Sequence, residues 1–198
     1  VCANGSFAFT FVREPLSHFV SGFAEFAFRA LPNRTQIVRP TARQTVTHLT
    51  QGQVPDAPFA ASWEHMALMA GVKSSGVPLD FVGNLEEAGA DWAALKSRSA
   101  LAGRRLQGIS SAEAVHPTSA DPQQARSTMV ALLRAEPSTR RELCEALRTD
   151  YECFGYAFNA CLDGRALDAI VLPATGSSDA SKQPSPKPRF EAVGCGGA

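Results

Sequence analysis

The sequence of 198 residues has no run of about 18 consecutive apolar residues, so it contains no segment with the pattern of a membrane-spanning helix. It also has no excess of charge of either sign, because 19 basic and 19 acidic side chains cancel. A net charge of zero removes the bulk electrostatic attraction to a polyanion, so we expect no nucleic-acid partner. The chain is 44% hydrophobic, which is the composition of a globular domain rather than of a disordered protein.

The cysteines show no metal-ligand spacing. No CxxC pair occurs among the five of them, Cys2, Cys144, Cys153, Cys161 and Cys195. Because their number is odd, they cannot all pair within the chain, and both the pairing and the redox compartment stay open at this point. Lysine is scarce, with 4 Lys against 15 Arg. The planar guanidinium suits phosphate or sulfate, although a GC-rich genome produces the same bias.

Apolar periodicity predicts a strand followed at once by a helix near the beginning of the chain. Residues 6–12 are a short β-branched and aromatic run, and residues 15–30 repeat apolar side chains at helical spacing. Pro15 suits the first helical turn, where its missing N–H costs nothing. A second compact apolar run at 78–83 predicts another strand. Both runs are continuously apolar, as expected for a largely parallel sheet with helices on both faces.

The rest of the chain is predicted to be mainly helical, followed by a low-complexity tail. We expect a single domain over residues 1–172 and a disordered tail over residues 173–198, where Ser, Pro, Gly and Lys leave nothing to bury. Residues 103–121 have the composition of a polar loop. Further helices are predicted near residues 40–51, 63–70, 85–101 and 122–134, and from Ser138 to Tyr151.

The junction of the first strand and helix carries the side chains of a phosphate clamp. Arg13 ends the strand, and Ser21 lies eight residues later, about two helical turns along. Arg13 offers a bidentate cation and Ser21 a hydroxyl, and the helix start would add free N–H groups and partial positive charge. We expect both side chains to point into one pocket at the C-terminal end of strand 6–12. The alternative is an ordinary capped surface arginine.

Three segments resemble, in order, motifs of the Golgi-type carbohydrate sulfotransferases. Residues 13–21, Arg-Glu-Pro followed by Ser, are similar to the 3′-phosphate-binding motif of that family, although His18 stands where the family usually has Arg. Residues 78–86 resemble its Asp-Phe-Val-Gly-x-x-Glu stretch. Residues 150–156 are similar to its closing Asp-Tyr/Phe-x-x-Phe-Gly-Tyr signature.

The resemblance implies an α/β, three-layer fold like that of P-loop kinases, with a central, mainly parallel sheet. It also implies transfer of a sulfuryl group from 3′-phosphoadenosine 5′-phosphosulfate to a hydroxyl of a carbohydrate or related acceptor, without a metal. By the same resemblance, Arg13 and Ser21 are expected to bind the 3′-phosphate of this donor. The expected location is the Golgi lumen, with membrane attachment only through an anchor upstream of this sequence.

The resemblance is incomplete at the N-terminal end. The family holds the 5′-phosphosulfate on a loop that precedes the 3′-phosphate motif, and residues 1–12 contain nothing like it. We therefore expect an N-terminally incomplete catalytic domain that binds the donor weakly and transfers sulfate poorly or not at all. The alternative is a non-catalytic nucleotide-binding fragment or pseudoenzyme that keeps only the 3′-phosphate half-site.

The catalytic base is not identified by a motif. His48 and His65 are candidates for deprotonating an acceptor hydroxyl, against the alternative that each is an ordinary surface or packed histidine. Glu86 either organises the turn after the second strand or contacts substrate. Tyr151 and Tyr156 are interpreted as core residues, with a second reading in which one of them lines the adenine or acceptor pocket.

Overall fold

The computed structural model describes residues 7–29, 41–52, 79–98 and 120–170. A 3₁₀ turn at Leu85–Glu87 follows the second strand. In chain order the strands and α-helices are β1 (Phe9–Val12), α1 (Pro15–Arg29), α2 (Ala42–Thr50), β2 (Phe81–Asn84), α3 (Ala88–Ser97), α4 (Ala120–Ala135), α5 (Pro137–Ala146), α6 (Arg148–Cys153), α7 (Phe158–Leu162) and α8 (Ala166–Ile170).

The two strands pair in parallel, which confirms that the runs at 6–12 and 78–83 lie in one parallel sheet. Phe9 lies opposite Phe81 along the ladder. The hydrogen bonding between the strands begins one residue before this pair, where the Asp80 N–H donates to the Ala8 carbonyl at 2.8 Å. The Asp80 carboxylate accepts from the Ala8 N–H, also at 2.8 Å. Within the described residues the sheet has these two strands and most residues are helical, so this part of the chain is a mostly helical α/β arrangement with a small parallel sheet.

Helices cover both faces of this sheet, as its continuously apolar strands predict. Val12 and Val82 face the main core, which contains α1. On the opposite face Phe11 and Phe81 pack against Trp92 of α3. Gly83 lies on this second face beneath the Phe11 ring. A Cβ at Gly83 would lie 2.5 Å from Phe11 Cε1, so the ring occupies the space that any larger residue would need.

The main core is built around α1 and the helices that follow residue 120. Leu16, Phe19 and Val20 of α1 are fully buried, because apolar side chains recur along one face of this helix. They belong to the same cluster as Met129 and Leu133 of α4.

A disulfide between Cys144 and Cys161 ties α5 to α7 across 17 residues of sequence. The pairing of these two cysteines, which the sequence leaves open, is thereby decided.

The predicted helices at 15–30, 40–51 and 122–134 are confirmed with boundaries shifted by a residue or two. The helix predicted from Ser138 to Tyr151 begins at Pro137 and breaks at Leu147, where a new short helix starts. The chain then forms further short helices up to residue 170, each too short to show periodicity in the sequence. The predictions for 63–70, 103–121 and 173–198 lie outside the described residues.

Candidate functional site

Three side chains from three elements converge beside α1. Arg13, at the C-terminal end of β1, donates from Nη1 to Ser21 Oγ at 2.9 Å. Arg126, from α4, donates from Nη2 to the same oxygen at 3.1 Å. Arg13 and Ser21 therefore lie together, as their spacing predicts, and both lone pairs of the Ser21 hydroxyl oxygen accept from a guanidinium.

The two guanidinium groups meet with no compensating carboxylate from the part of the chain that the structure describes. Among the described residues no acidic side chain forms an ion pair with Arg13 or Arg126. Burial lowers the pKa of Arg126, and the neighbouring charge of Arg13 lowers it further. Arg126 Nε is buried without a hydrogen-bond partner. Because buried polar groups are normally satisfied, a half-buried pair of cations with an unused donor is an arrangement that would be stabilised by an anion.

The start of α1 offers fewer donors than the sequence leads one to expect. Pro15 has no N–H, the Leu16 N–H donates to Tyr151 Oη at 3.3 Å, and the Ser17 N–H donates to Glu14 Oε2 at 2.6 Å. The expectation of free N–H groups in this first turn is therefore wrong. The protein satisfies them itself, with a carboxyl group at the helix end. An anion at this site would be held by side chains on the flank of α1.

The turn between β1 and α1 is fixed by residues that follow the second strand and by the 150–156 segment. The Glu14 N–H donates to Glu86 Oε1 at 2.8 Å, and the Tyr151 hydroxyl donates to Glu14 Oε1. The Tyr156 hydroxyl donates toward Asn84 Oδ1 at 2.9 Å and Glu86 Oε2 at 3.1 Å. Glu86 thus organises this turn, which is the first of its two readings. Tyr151 is buried in the core, as predicted, but its hydroxyl is also part of the turn.

Burial sets the protonation of this network. It raises the pKa of Tyr151, with Glu14 adding to the effect, and it raises the pKa of Tyr156, with Glu86 adding to it. Both tyrosines therefore remain hydrogen-bond donors at neutral pH. Burial also raises the pKa of Glu14, although its hydrogen bonds from Tyr151 and Ser17 act in the opposite direction.

The structure describes one of the two histidine candidates, His48. His48 is half-buried in the last turn of α2, a helix that packs against α4 and α5. Its role as general base stays a prediction. His65 lies outside the described residues, and its role stays a prediction as well.

Arg126 is the site residue that the sequence analysis missed. It belongs to no motif, but it stands three, four and seven residues before Met129, Val130 and Leu133, the buried residues of α4. This spacing puts a charged side chain on the apolar face of an amphipathic helix. A charged residue on the apolar face of a predicted helix is the feature of the sequence that could have identified Arg126.

A sequence model described as the sulfotransferase family matches residues 2–157. This chain belongs to the sulfotransferase family. The matched region contains Arg13, Ser21 and Arg126, together with all three segments that carry the resemblance. No curated protein and no solved structure shows significant similarity to the chain.

Membership assigns this sulfotransferase to enzymes that transfer sulfuryl groups. No group of three or more His, Cys, Asp or Glu side chains within residues 7–29, 41–52, 79–98 and 120–170 is arranged to hold a metal ion. Within the same ranges, no helix is both long and apolar enough to cross a bilayer.

Proposed function

We propose that this sulfotransferase takes 3′-phosphoadenosine 5′-phosphosulfate as donor and transfers its sulfuryl group to a hydroxyl of a carbohydrate or related acceptor. The observation that carries the donor assignment is the meeting of Arg13 and Arg126 at Ser21 Oγ, where no acidic side chain of the described residues pairs with either guanidinium. A phosphate monoester carries nearly two negative charges at neutral pH. It therefore matches the charge of two guanidinium groups better than a singly charged group does.

The donor set fits a tetrahedral phosphate. Each guanidinium presents several N–H groups in a planar fork, and Arg126 Nε has an unused one. The Ser21 oxygen accepts from both arginines, so its own proton is available to donate to a phosphate oxygen. A phosphate bound here would offset the repulsion between the two cations and would give the buried Nε–H a partner.

The role expected of these three residues is binding rather than chemistry at sulfur. The donor, when bound, supplies the sulfuryl group and a nucleotide bisphosphate leaving group. Arg13, Ser21 and Arg126 would hold the 3′-phosphate, which is chemically unchanged by the transfer. Interactions that are equally strong in ground and transition states lower KM without raising kcat. Substitutions here should therefore raise the KM for the donor more than they lower kcat.

The acceptor and compartment are proposed from the resemblance to carbohydrate sulfotransferases, with one supporting feature in the structure. The Cys144–Cys161 disulfide is compatible with an oxidising compartment such as the Golgi lumen. His48 and His65 remain our proposals for the base that deprotonates the acceptor hydroxyl. Attachment to the Golgi membrane remains a proposal from the same resemblance.

Two measurements on the purified chain test the proposal. Calorimetric titration with adenosine 3′,5′-bisphosphate should show binding that weakens about ten- to a hundredfold in Arg13→Met, the loss expected for one charged hydrogen bond. Radiolabelled sulfate transfer to a panel of glycans should identify the acceptor. Binding without turnover would favour the non-catalytic nucleotide-binding alternative. Equal affinity in wild type and Arg13→Met would reject the site.

A further inference from the structure

A chain of hydrogen bonds connects the 150–156 segment to the turn that carries Arg13. We propose that Tyr151 is a positioning residue: through Glu14 it holds this turn so that Arg13 faces Ser21 and an incoming 3′-phosphate. This role rests on the proposed function, because it assumes that the arginine pair binds phosphate. It assigns Tyr151 a task beyond core packing.

Tyr151 is buried and firmly packed, and its hydroxyl contacts two residues at the start of α1. The residue is 1% exposed, and its ring packs against Phe158 with centroids 5.7 Å apart. Its hydroxyl accepts from the Leu16 N–H and donates to Glu14 Oε1, so that one oxygen bridges the two residues that flank Pro15. The hydroxyl therefore ties the start of α1 to a buried ring of α6.

Glu14 is the residue that the Tyr151 hydroxyl holds in place. Its N–H donates to Glu86, its Oε2 accepts from Ser17, and its Oε1 accepts from Tyr151. Arg13 lies between Glu14 and the last residue of β1, which is held by the sheet. With both neighbours fixed, the backbone of Arg13 is also held, and its side chain extends from the backbone in a defined direction. Binding residues held in this way lose less conformational entropy when a ligand arrives.

The Tyr151 hydroxyl also keeps the Glu14 carboxyl group occupied. Without this donor, the half-buried Glu14 carboxylate would have one hydrogen-bond partner fewer, and the cation of the preceding residue, Arg13, would compete to replace it. An Arg13–Glu14 ion pair would compete directly with phosphate for the guanidinium. The predicted defect is therefore a loss of selectivity for 3′-phosphorylated ligands, which is separate from any general loss of stability.

The test compares Kd values of Tyr151→Phe for two ligands, adenosine 3′,5′-bisphosphate and adenosine 5′-phosphate. We expect affinity for the bisphosphate to fall about tenfold, because Arg13 pairs with Glu14 and one charged hydrogen bond to the 3′-phosphate is lost. Affinity for the monophosphate, which has no 3′-phosphate, should be unchanged. The control is Arg134→Met, which removes an exposed guanidinium that pairs with Asp168 at 3.0 Å. It should lose less than about threefold by the same relation.

A second variant separates positioning from packing. In Glu14→Gln/Tyr151→Phe the residue at position 14 can still accept from Ser17 but cannot form an ion pair with Arg13, so selectivity should recover most of the lost tenfold. Equal weakening of both ligands in Tyr151→Phe, or no recovery in the double variant, would overturn the positioning role. If Tyr151→Phe does not fold, Glu14→Gln alone should retain wild-type selectivity, and a tenfold drop would reject the proposal.

Failure of the proposed function would look different. In that case Arg13→Met and Ser21→Ala would bind both ligands as the wild type does. If these two variants lose selectivity and Tyr151→Phe does not, the phosphate site stands and the role of Tyr151 is rejected.

Discussion

Replacing Arg126 with Met should separate ligand binding from stability in this sulfotransferase. Met keeps an unbranched apolar stem but removes a guanidinium whose pKa is lowered by burial and by Arg13, and whose Nε has no partner. The ligand-free protein should therefore unfold at the same temperature as the wild type or at a higher one. Affinity for adenosine 3′,5′-bisphosphate should nevertheless fall, because one of two cations that face the phosphate is gone.

The expected loss of affinity follows from the value of a hydrogen bond to a charged group. At about 1.5–3 kcal/mol, it corresponds to a Kd that is about ten- to a hundredfold weaker. At a ligand concentration about 100 times the wild-type Kd, binding stabilises the wild type by about 2.7 kcal/mol. A variant with a Kd about thirtyfold weaker gains under about 1 kcal/mol at the same concentration. Thermal denaturation without the bisphosphate measures the stability of the ligand-free variant. The same measurement with the bisphosphate gives the stabilisation that binding adds.

The matched control is Arg134→Met in the same helix. Arg134 pairs with Asp168 at 3.0 Å and is 48% exposed, so its loss should change neither ligand affinity nor the ligand-induced shift. The reasoning would be refuted if Arg126→Met bound the bisphosphate as tightly as the wild type. It would also be refuted if the ligand-free variant lost several kcal/mol of stability, since Arg126 would then be a structural residue.

Three further predictions concern stability. Gly83→Ala should lower the free energy of unfolding by about 1–3 kcal/mol, because its Cβ would lie 2.5 Å from an aromatic carbon of β1. Gly89→Ala in α3, whose Cβ would have nothing within 4 Å, should raise the free energy of unfolding by about 0.5–1 kcal/mol. Urea denaturation of both variants checks this, and similar values for the two would contradict it. Replacing Cys144 and Cys161 with Ala should cost about 3 kcal/mol, and the thermal midpoint of the double variant should not respond to reductant. Burial raises the pKa of Asp150 from 3.8 to about 6. The folded state thus favours the protonated form, and stability should fall by up to about 3 kcal/mol as the pH rises from about 4 through 6. Asp150→Asn should flatten this part of a pH–stability profile, and an unchanged slope would contradict the assignment.

The sequence alone is sufficient where structure depends on neighbours along the chain. The apolar spacing of residues 15–30 predicts α1, and the continuous apolar runs at 6–12 and 78–83 predict two strands of one parallel sheet. The spacing of Arg13 and Ser21 places both side chains on one side of the strand–helix junction. Family membership also follows from sequence, because the motifs lie in short contiguous segments.

Only the tertiary structure decides what comes from distant parts of the chain. Arg126 reaches Ser21 from 105 residues away, and Tyr151 reaches Glu14 from 137 residues away. No local pattern encodes these contacts, because they depend on how α4 and α6 pack against α1. The same packing occupies the N–H groups at the start of α1, which local reasoning leaves free for an anion. The position of the anion site on the flank of α1 is therefore a property of helix packing, whereas the presence of a cation and a hydroxyl beside α1 is a property of the sequence.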